Sequence, residues 1–183
     1  MGVDAMTFYW LARRVRSLGV PLVPSLLRKA SYYLHSSYIP EDADIGYGTQ
    51  VGYGGLGIVI HKEAKVGRHC LLSQQVTIGG RSGRPGAPVI CDFVRIGAGA
   101  KVLGAVRVGK FAVIGANAVV VKDVRDGAVV AGVPAVELRV DPNPSESYLR
   151  ELGAHVSEQL KEDLDEELRR ESGEASDSAD LVH

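Results

Sequence analysis

The stretch VICDFVRIGAGAKVLGAVRVGKFAVIGANAVVVKDV, residues 89–124, decides the fold. An aliphatic residue returns at every sixth position: Ile90, Ile96, Val102, Val108, Ile114 and Val120. Four places after each stands a small or β-branched residue, namely Val94, Ala100, Val106, Ala112, Ala118 and Val124. A period of six suits neither an amphipathic helix nor a two-faced strand. It suits a parallel β-helix in which each hexapeptide is one short flat side and three sides complete a coil. The aliphatic residue fills the prism, the corner takes a residue with little side chain, and stacked coils share one core.

Upstream, Ile60, Val66, Leu72 and Ile78 keep the same phase, and Ile45 and Val51 have the same spacing in a shifted phase. Glycine often follows the aliphatic residue, as at Gly46, Gly52, Gly67, Gly79, Gly97, Gly109 and Gly115. Chance alternation in a β-sandwich does not hold a period through so many matches. The composition agrees: 22 glycines among 183 residues, with only 6% aromatics, imply many tight turns rather than a conventional core.

Charge is nearly balanced, with 21 Lys and Arg against 22 Asp and Glu, so no global field points to nucleic acid. Cys70 and Cys91 form no CxxC pair, which argues against a zinc site or disulfide framework and fits a reducing compartment. No apolar run is long enough to span a bilayer, and the start, MGVDAMTFYWLARRVRSLG, lacks the features of a signal peptide. The expectation is a cytoplasmic protein.

Three segments follow from this pattern: an N-terminal helical cap at 1–38, the β-helix at 39–139, and a C-terminal helix with an acidic tail at 140–183. In the cap, Phe8, Leu11, Val15 and Leu18 share a helical face with Gly19 as the stop, and Leu26, Ala30 and Tyr33 mark a second helix. Arg13, Arg14, Arg16, Arg28 and Lys29 also permit a membrane-surface reading. A cap over the first coil is preferred, and no membrane partner is expected. Beyond Pro142 and Pro144, a helix is expected from Ser145 to about Arg170, with Leu149, Leu152, Val156, Leu160, Leu164 and Leu168 on a drifting stripe. The polar end, ESGEASDSADLVH, is expected to be disordered.

Coil stacking places residues relative to one another. Taking positions eighteen apart as one column puts Lys62, Gly80, Ala98 and Ala116 together, beside His61, Gly79, Gly97 and Gly115. Such a corner, stripped of side chains above His61 and Lys62, suits an extended amide-bearing arm such as pantetheine. Glycine and alanine required by the turns themselves would explain it equally well. Between Ile78 and Ile90, the segment GGRSGRPGAPV leaves the repeat, and Arg81 and Arg84 in it could meet a phosphate or merely keep a loop solvated.

The repeat resembles that of the hexapeptide acyltransferases over roughly residues 39–139, which implies a left-handed parallel β-helix, an all-β-dominated solenoid with short helical ends. VTIGGRSG (76–83), IGAGAKVLG (96–104), VIGANAVVVKDV (113–124) and AGVPA (131–135) narrow the resemblance to the serine acetyltransferase branch. That resemblance implies acetyl-CoA as cosubstrate, with Gly80 and Ala98 matching residues that line the CoA groove. Lys122 and Gly132–Val133–Pro134–Ala135 match its distal, nucleotide end. It also implies a homotrimer with each groove completed by a neighbour's loop.

The chain departs from that branch at the acceptor site. Gly52 and Tyr53 stand where an Asp-His pair is expected, Ala87 stands near a second expected histidine, and the helical domain is short. The YGGLGIVIH form resembles shorter proteins associated with surface-polysaccharide modification. Transfer to a hydroxyl needs a general base and oxyanion donors. Of His35, His61, His69, His155 and His183, His61 at the foot of the glycine column is the candidate base, with Tyr53 second and Gly79–Gly80 near the oxyanion. His69 looks like ordinary turn surface. The reading is an acetyl-CoA-dependent O-acetyltransferase with a small hydroxyl-bearing acceptor. A sugar comes first, serine second, and a non-catalytic β-helix scaffold is the alternative from another class.

Overall fold

The computed structural model of the protein describes residues 3–152 and 157–179, with side chains as far as Arg170. Two compact units divide after Pro144. The first is a parallel β-helix preceded by two helices. Its first side stacks β1 (Asp44–Ile45), β4 (Lys65–Val66), β7 (Val89–Ile90) and β10 (Arg107–Val108). The second stacks β2 (Gln50–Val51), β5 (Leu71–Leu72), β8 (Arg95–Ile96), β11 (Val113–Ile114) and β13 (Ala128–Ala131). An antiparallel edge strand, β14 (Val136–Val140), completes that sheet. The third side is β3 (Val59–Ile60), β6 (Thr77–Gly79), β9 (Lys101–Leu103) and β12 (Val119–Val120).

Every aliphatic residue of the repeat from Ile60 to Val120 is buried, as are the small residues from Ala64 to Val124. Ile45 is buried with them and Val51 packs against their edge. One hexapeptide therefore supplies one short strand and one corner, and only two side chains of each point into the prism.

The corner between the first and second sides carries a stacked column that the periodicity did not announce. His69, Phe93 and Phe111 all take left-handed backbone, with φ of 52°, 61° and 57°. The rings of Phe93 and Phe111 lie 4.8 Å apart at 5°, and His69 stacks on Phe93 at 5.6 Å. Tyr47 meets His69 edge-on. His69 is thus a buried member of an aromatic ladder, not the turn-surface residue expected. Beside it, Asp92 accepts from the backbone N–H of Arg68 at 2.7 Å and from its guanidinium at 2.9 and 3.0 Å. Cys70 and Cys91 are free thiols. The Cys70 thiol donates to the carbonyl of Cys91, and burial pushes its pKa up to about 12.

The cap forms as two helices, α1 (Ala5–Ser17) and α2 (Val23–His35), but with a different inner face. Asp4 caps α1 by accepting from the Thr7 N–H at 2.8 Å. Ala5, Met6, Tyr9 and Ala12 are buried, and the Tyr9 hydroxyl donates to Ala43 O at 2.9 Å. Arg13 reinforces that anchor through Tyr9 and Ala43. Leu11 and Leu18, expected inside, are exposed, as are Leu26 and Tyr33 of α2. The inner face of α1 is built from Ala5, Met6, Tyr9 and Ala12, which leaves Leu11 and Leu18 outside.

The second unit holds α4 (Glu158–Ala179) and most of α3 (Pro144–Leu152). Leu152, Leu160 and Leu164 of the expected stripe are buried and Leu168 is exposed. Val156 and His155 lie outside the described residues, as does His183. The backbone of α4 continues to Ala179, where the sequence suggested disorder from residue 171. The rest of that tail lies outside the described residues.

Candidate active site

The third side organises the candidate site, because its strands run between two corners that carry nearly every residue singled out above. At the entry corner, Gly97–Ala98–Gly99 precedes β9 and Gly115–Ala116–Asn117 precedes β12. The Asn117 N–H donates to Ala98 O at 2.8 Å, so Ala98 and Ala116 are stacked, one half-buried and the other exposed. The Gly132–Ala135 turn caps the same corner, with Val119 N–H donating to Gly132 O and Ala135 N–H donating to Val119 O. Gly132 and Pro134 therefore sit at the end of the Ala98–Ala116 column.

At the exit corner the order is different. Gly79 pairs with Leu103, and His61 N–H donates to Ile78 O. The loop carrying Arg81 and Arg84 leaves from Gly80, and Gly104 N–H donates back to Gly79 O at 2.9 Å. Lys122 follows β12 at this corner. Arg81, Arg84, Lys122 and Asp123 border a cleft of about 500 Å³. His61, Lys62, Tyr38 and Gly79 border another of about 300 Å³.

The single column expected from a uniform spacing of eighteen does not exist. Ile60 pairs with Ile78, but Ile78 pairs with Val102 rather than Ile96. The twelve positions from Ile78 to Ile90 make one corner with a looped-out excursion, not two sides, so everything beyond shifts by one side. Gly97 stands on Gly115 at the entry corner, while Gly79 and Gly80 are at the exit corner with His61 and Lys62. The structure brings together His61, Lys62 and Gly79, and separately Ala98, Ala116 and the Gly132–Pro134 turn. It does not bring the two sets together within one chain.

The two sets of glycines also differ in why they are glycine. A Cβ on Gly97 would stand 2.6 Å from Ala116 N, and one on Gly67 would stand 2.6 Å from Asp92 N. Those residues are dictated by the coil stacked on them. A Cβ on Gly79 meets only side-chain atoms at 3.6 Å, and one on Gly80 meets nothing nearer than Gly86 O at 3.9 Å. Neither has a positive φ. The fold of the chain itself has room for side chains at 79 and 80.

His61 is half-buried, and its Nδ1 accepts from the Glu63 N–H at 3.2 Å. In the neutral ring that bond leaves the proton on Nε2. Acting as a base through Nε2 requires the other tautomer, with this long bond given up or the ring turned. Tyr53 is 82% exposed with a left-handed φ of 51°. It sits in the segment Gly52–Gly55, where Tyr53 and Gly54 both take left-handed backbone and the chain bulges from the entry corner of the first coil. His35 packs beneath that bulge, with Nε2 3.0 Å from Val3 O. Sequence reasoning missed this neighbour, since nothing in the pattern brings the end of α2 to Gly54.

No family model matches the chain. The serine acetyltransferase of Bacillus pumilus is 38% identical over 180 residues, covering 94% of this chain and 81% of that protein. The serine acetyltransferase of Synechococcus elongatus is 36% identical over 148 residues, covering 77% of this chain and 60% of that protein. The crystal structure of the serine acetyltransferase from Brucella abortus in complex with coenzyme A has a TM-score of 0.70 at 32% identity. It is covered over 55% of its chain and covers 74% of this one. The chain thus spans little more than half the length of several relatives it matches. The solenoid, its corners and these likenesses define a left-handed β-helix protein of the hexapeptide-repeat acyltransferase class. Within that class, the chain belongs to the serine acetyltransferase family.

Proposed function

We propose that the chain is an acetyl-CoA-dependent O-acetyltransferase whose acceptor is the hydroxyl of serine. The observation that carries the donor site is the pair Gly79–Gly80, glycines that their own chain does not require. A strand end bare of side chains lets an extended amide-bearing ligand lie close along it. The relatives are named for serine, which reverses the order of acceptors read from the sequence, where a sugar came first. The replacement of the expected Asp-His pair by Gly52 and Tyr53 is the observation that keeps a sugar acceptor as the second reading.

Gly79–Gly80 and Ala98–Ala116 occupy opposite corners of one side. A groove lined by both forms when the exit corner of one copy faces the entry corner of another, as in a closed cyclic trimer. The loop with Arg81 and Arg84 reaches from the exit corner towards the neighbour, and Lys122 lies beside it at the distal end. In the transfer, the serine oxygen attacks the acetyl carbonyl carbon and the C–S bond of the thioester breaks. His61 takes the hydroxyl proton and returns it to the departing thiolate, and backbone at Gly79–Gly80 holds the oxyanion.

Thiol release from acetyl-CoA, measured with serine and with nucleotide sugars, tests the acceptor. Release with serine supports the proposal, and release with sugars alone overturns it in favour of the second reading. Binding of neither donor nor acceptor would leave a scaffold. His61→Ala and His61→Gln separate the roles of the ring, because the glutamine amide can replace an Nε2–H donor but cannot act as a base. As a base, His61 makes both variants about a hundredfold slower or worse. A glutamine variant near wild-type rate contradicts the assignment. Sedimentation velocity tests the trimer.

A further inference from the structure

The exposed apolar stripe of the helical hairpin is the feature that the acyltransferase reading does not use. Leu18 is 73% exposed, Leu22 74% and Leu26 62%, with Val20 between them in the turn. Gly19 takes left-handed backbone there, and nothing lies within 4 Å of where its Cβ would be, so the tip is open. Along α2 the stripe continues through Leu22, Leu26, Lys29 and Tyr33, which recur at helical spacing. On α1, Leu11, Arg14 and Leu18 form an exposed row at helical spacing. Trp10 is also exposed.

The charge of this region has one sign. From Ala5 to Pro40 the chain carries Arg13, Arg14, Arg16, Arg28 and Lys29 and no Asp or Glu. Arg13, Arg16 and Arg28 turn inward to Asp44, Asp42 and Glu41 respectively, at the start of the β-helix. Arg14 and Lys29 reach solvent, each one turn from a leucine of the stripe.

We infer that the α1–α2 hairpin is a docking surface for an anionic lipid bilayer. A protein partner covering the stripe would have to strip water from Arg14 and Lys29 along with the leucines. A bilayer surface takes both kinds of group without that cost. The leucines of the tip enter the acyl boundary, and the long cationic side chains reach up to the phosphates. Trp10 and Tyr33 suit the headgroup level. This reverses the preference, read from the sequence, for a plain helical cap over the first coil with no membrane partner.

Flotation of the full chain with vesicles tests the inference, using phosphatidylcholine alone and phosphatidylcholine with phosphatidylglycerol. Binding is expected on the anionic vesicles and is expected to weaken as salt rises. The combined variant Leu18→Asp, Leu22→Asp and Leu26→Asp changes only exposed positions and should reduce partitioning about a hundredfold. Arg14→Gln with Lys29→Gln should reduce it about tenfold on anionic vesicles and leave the phosphatidylcholine control unchanged. Thermal melts near wild type establish that the variants are folded. Wild-type protein that stays off anionic vesicles at low salt overturns the inference. So does a leucine variant that sediments as a smaller species, since the stripe would then be an interface between copies.

Discussion

The upper coils, from Ile90 to Val120, and the exit corner around His61 and Gly79 use the same residue types for different reasons. In the upper coils Gly97 and Gly109 are pressed by the backbone of the next coil, at 2.6 Å from Ala116 N and 2.5 Å from Asp126 N. At the exit corner, a Cβ on Gly79 or Gly80 would meet nothing closer than 3.6 Å, an ordinary contact. Where one coil presses its backbone against the next, the repeat itself calls for glycine, so glycine alone says nothing about a ligand. Glycine where the repeat leaves room does.

That contrast can be broken by substitution. Gly97→Val should cost about 3 kcal/mol or more, since the branched side chain starts against Ala116 N with no flexible atom to yield. Loss of a cooperative thermal transition, or of soluble protein, is the expected result, and a melt like wild type would break the comparison. Asp92→Ala should cost about 2 kcal/mol, because it frees both the backbone N–H and the guanidinium of Arg68 at a partly buried corner. Urea denaturation measures it. Gly79→Ala should shift stability by less than about 1 kcal/mol while weakening acetyl-CoA binding. A larger loss of stability would make Gly79 one more structural glycine.

The last effect appears only at alkaline pH and concerns Cys70. Its thiol is favoured in the neutral form by burial, so its folded pKa of about 12 lies above the ordinary 9.0. The stability this group contributes is full below 9.0 and is lost as pH rises from there towards 12. Cys70→Ala should therefore flatten the decline in unfolding free energy across that window. An unchanged decline would mean the thiol is not held neutral. Native protein should also resist alkylation at Cys70 near neutral pH, with the thiol becoming reactive only on unfolding.

The six-residue period was legible because burial enforces it: a slip of one position would turn an Ile or Val outward at every later coil. The stacking of coils was not, because the eleven residues between Ile78 and Ile90 read equally well as two sides or as one corner with a loop. The pairings of Ile78 with Val102, Val66 with Ile90 and Leu72 with Ile96 separate the two. Hence the residue types at the site were recognisable while their grouping was wrong. The helices show a different limit. Hydrophobic periodicity assumes that the largest apolar residues face inward, whereas α1 buries Ala5, Ala12 and Tyr9 and leaves Leu11 and Leu18 outside. The tyrosine hydroxyl and Arg13 tether that face to Ala43, a contact no local pattern reveals.

Calorimetric titration of acetyl-CoA into wild type and Gly80→Leu, with matched thermal melts, tests the central claim most directly. Gly80 has room for a side chain in the folded chain, so the variant should melt like wild type and lose saturable binding. Equal binding by the two proteins would contradict the placement of the donor groove at the exit corner.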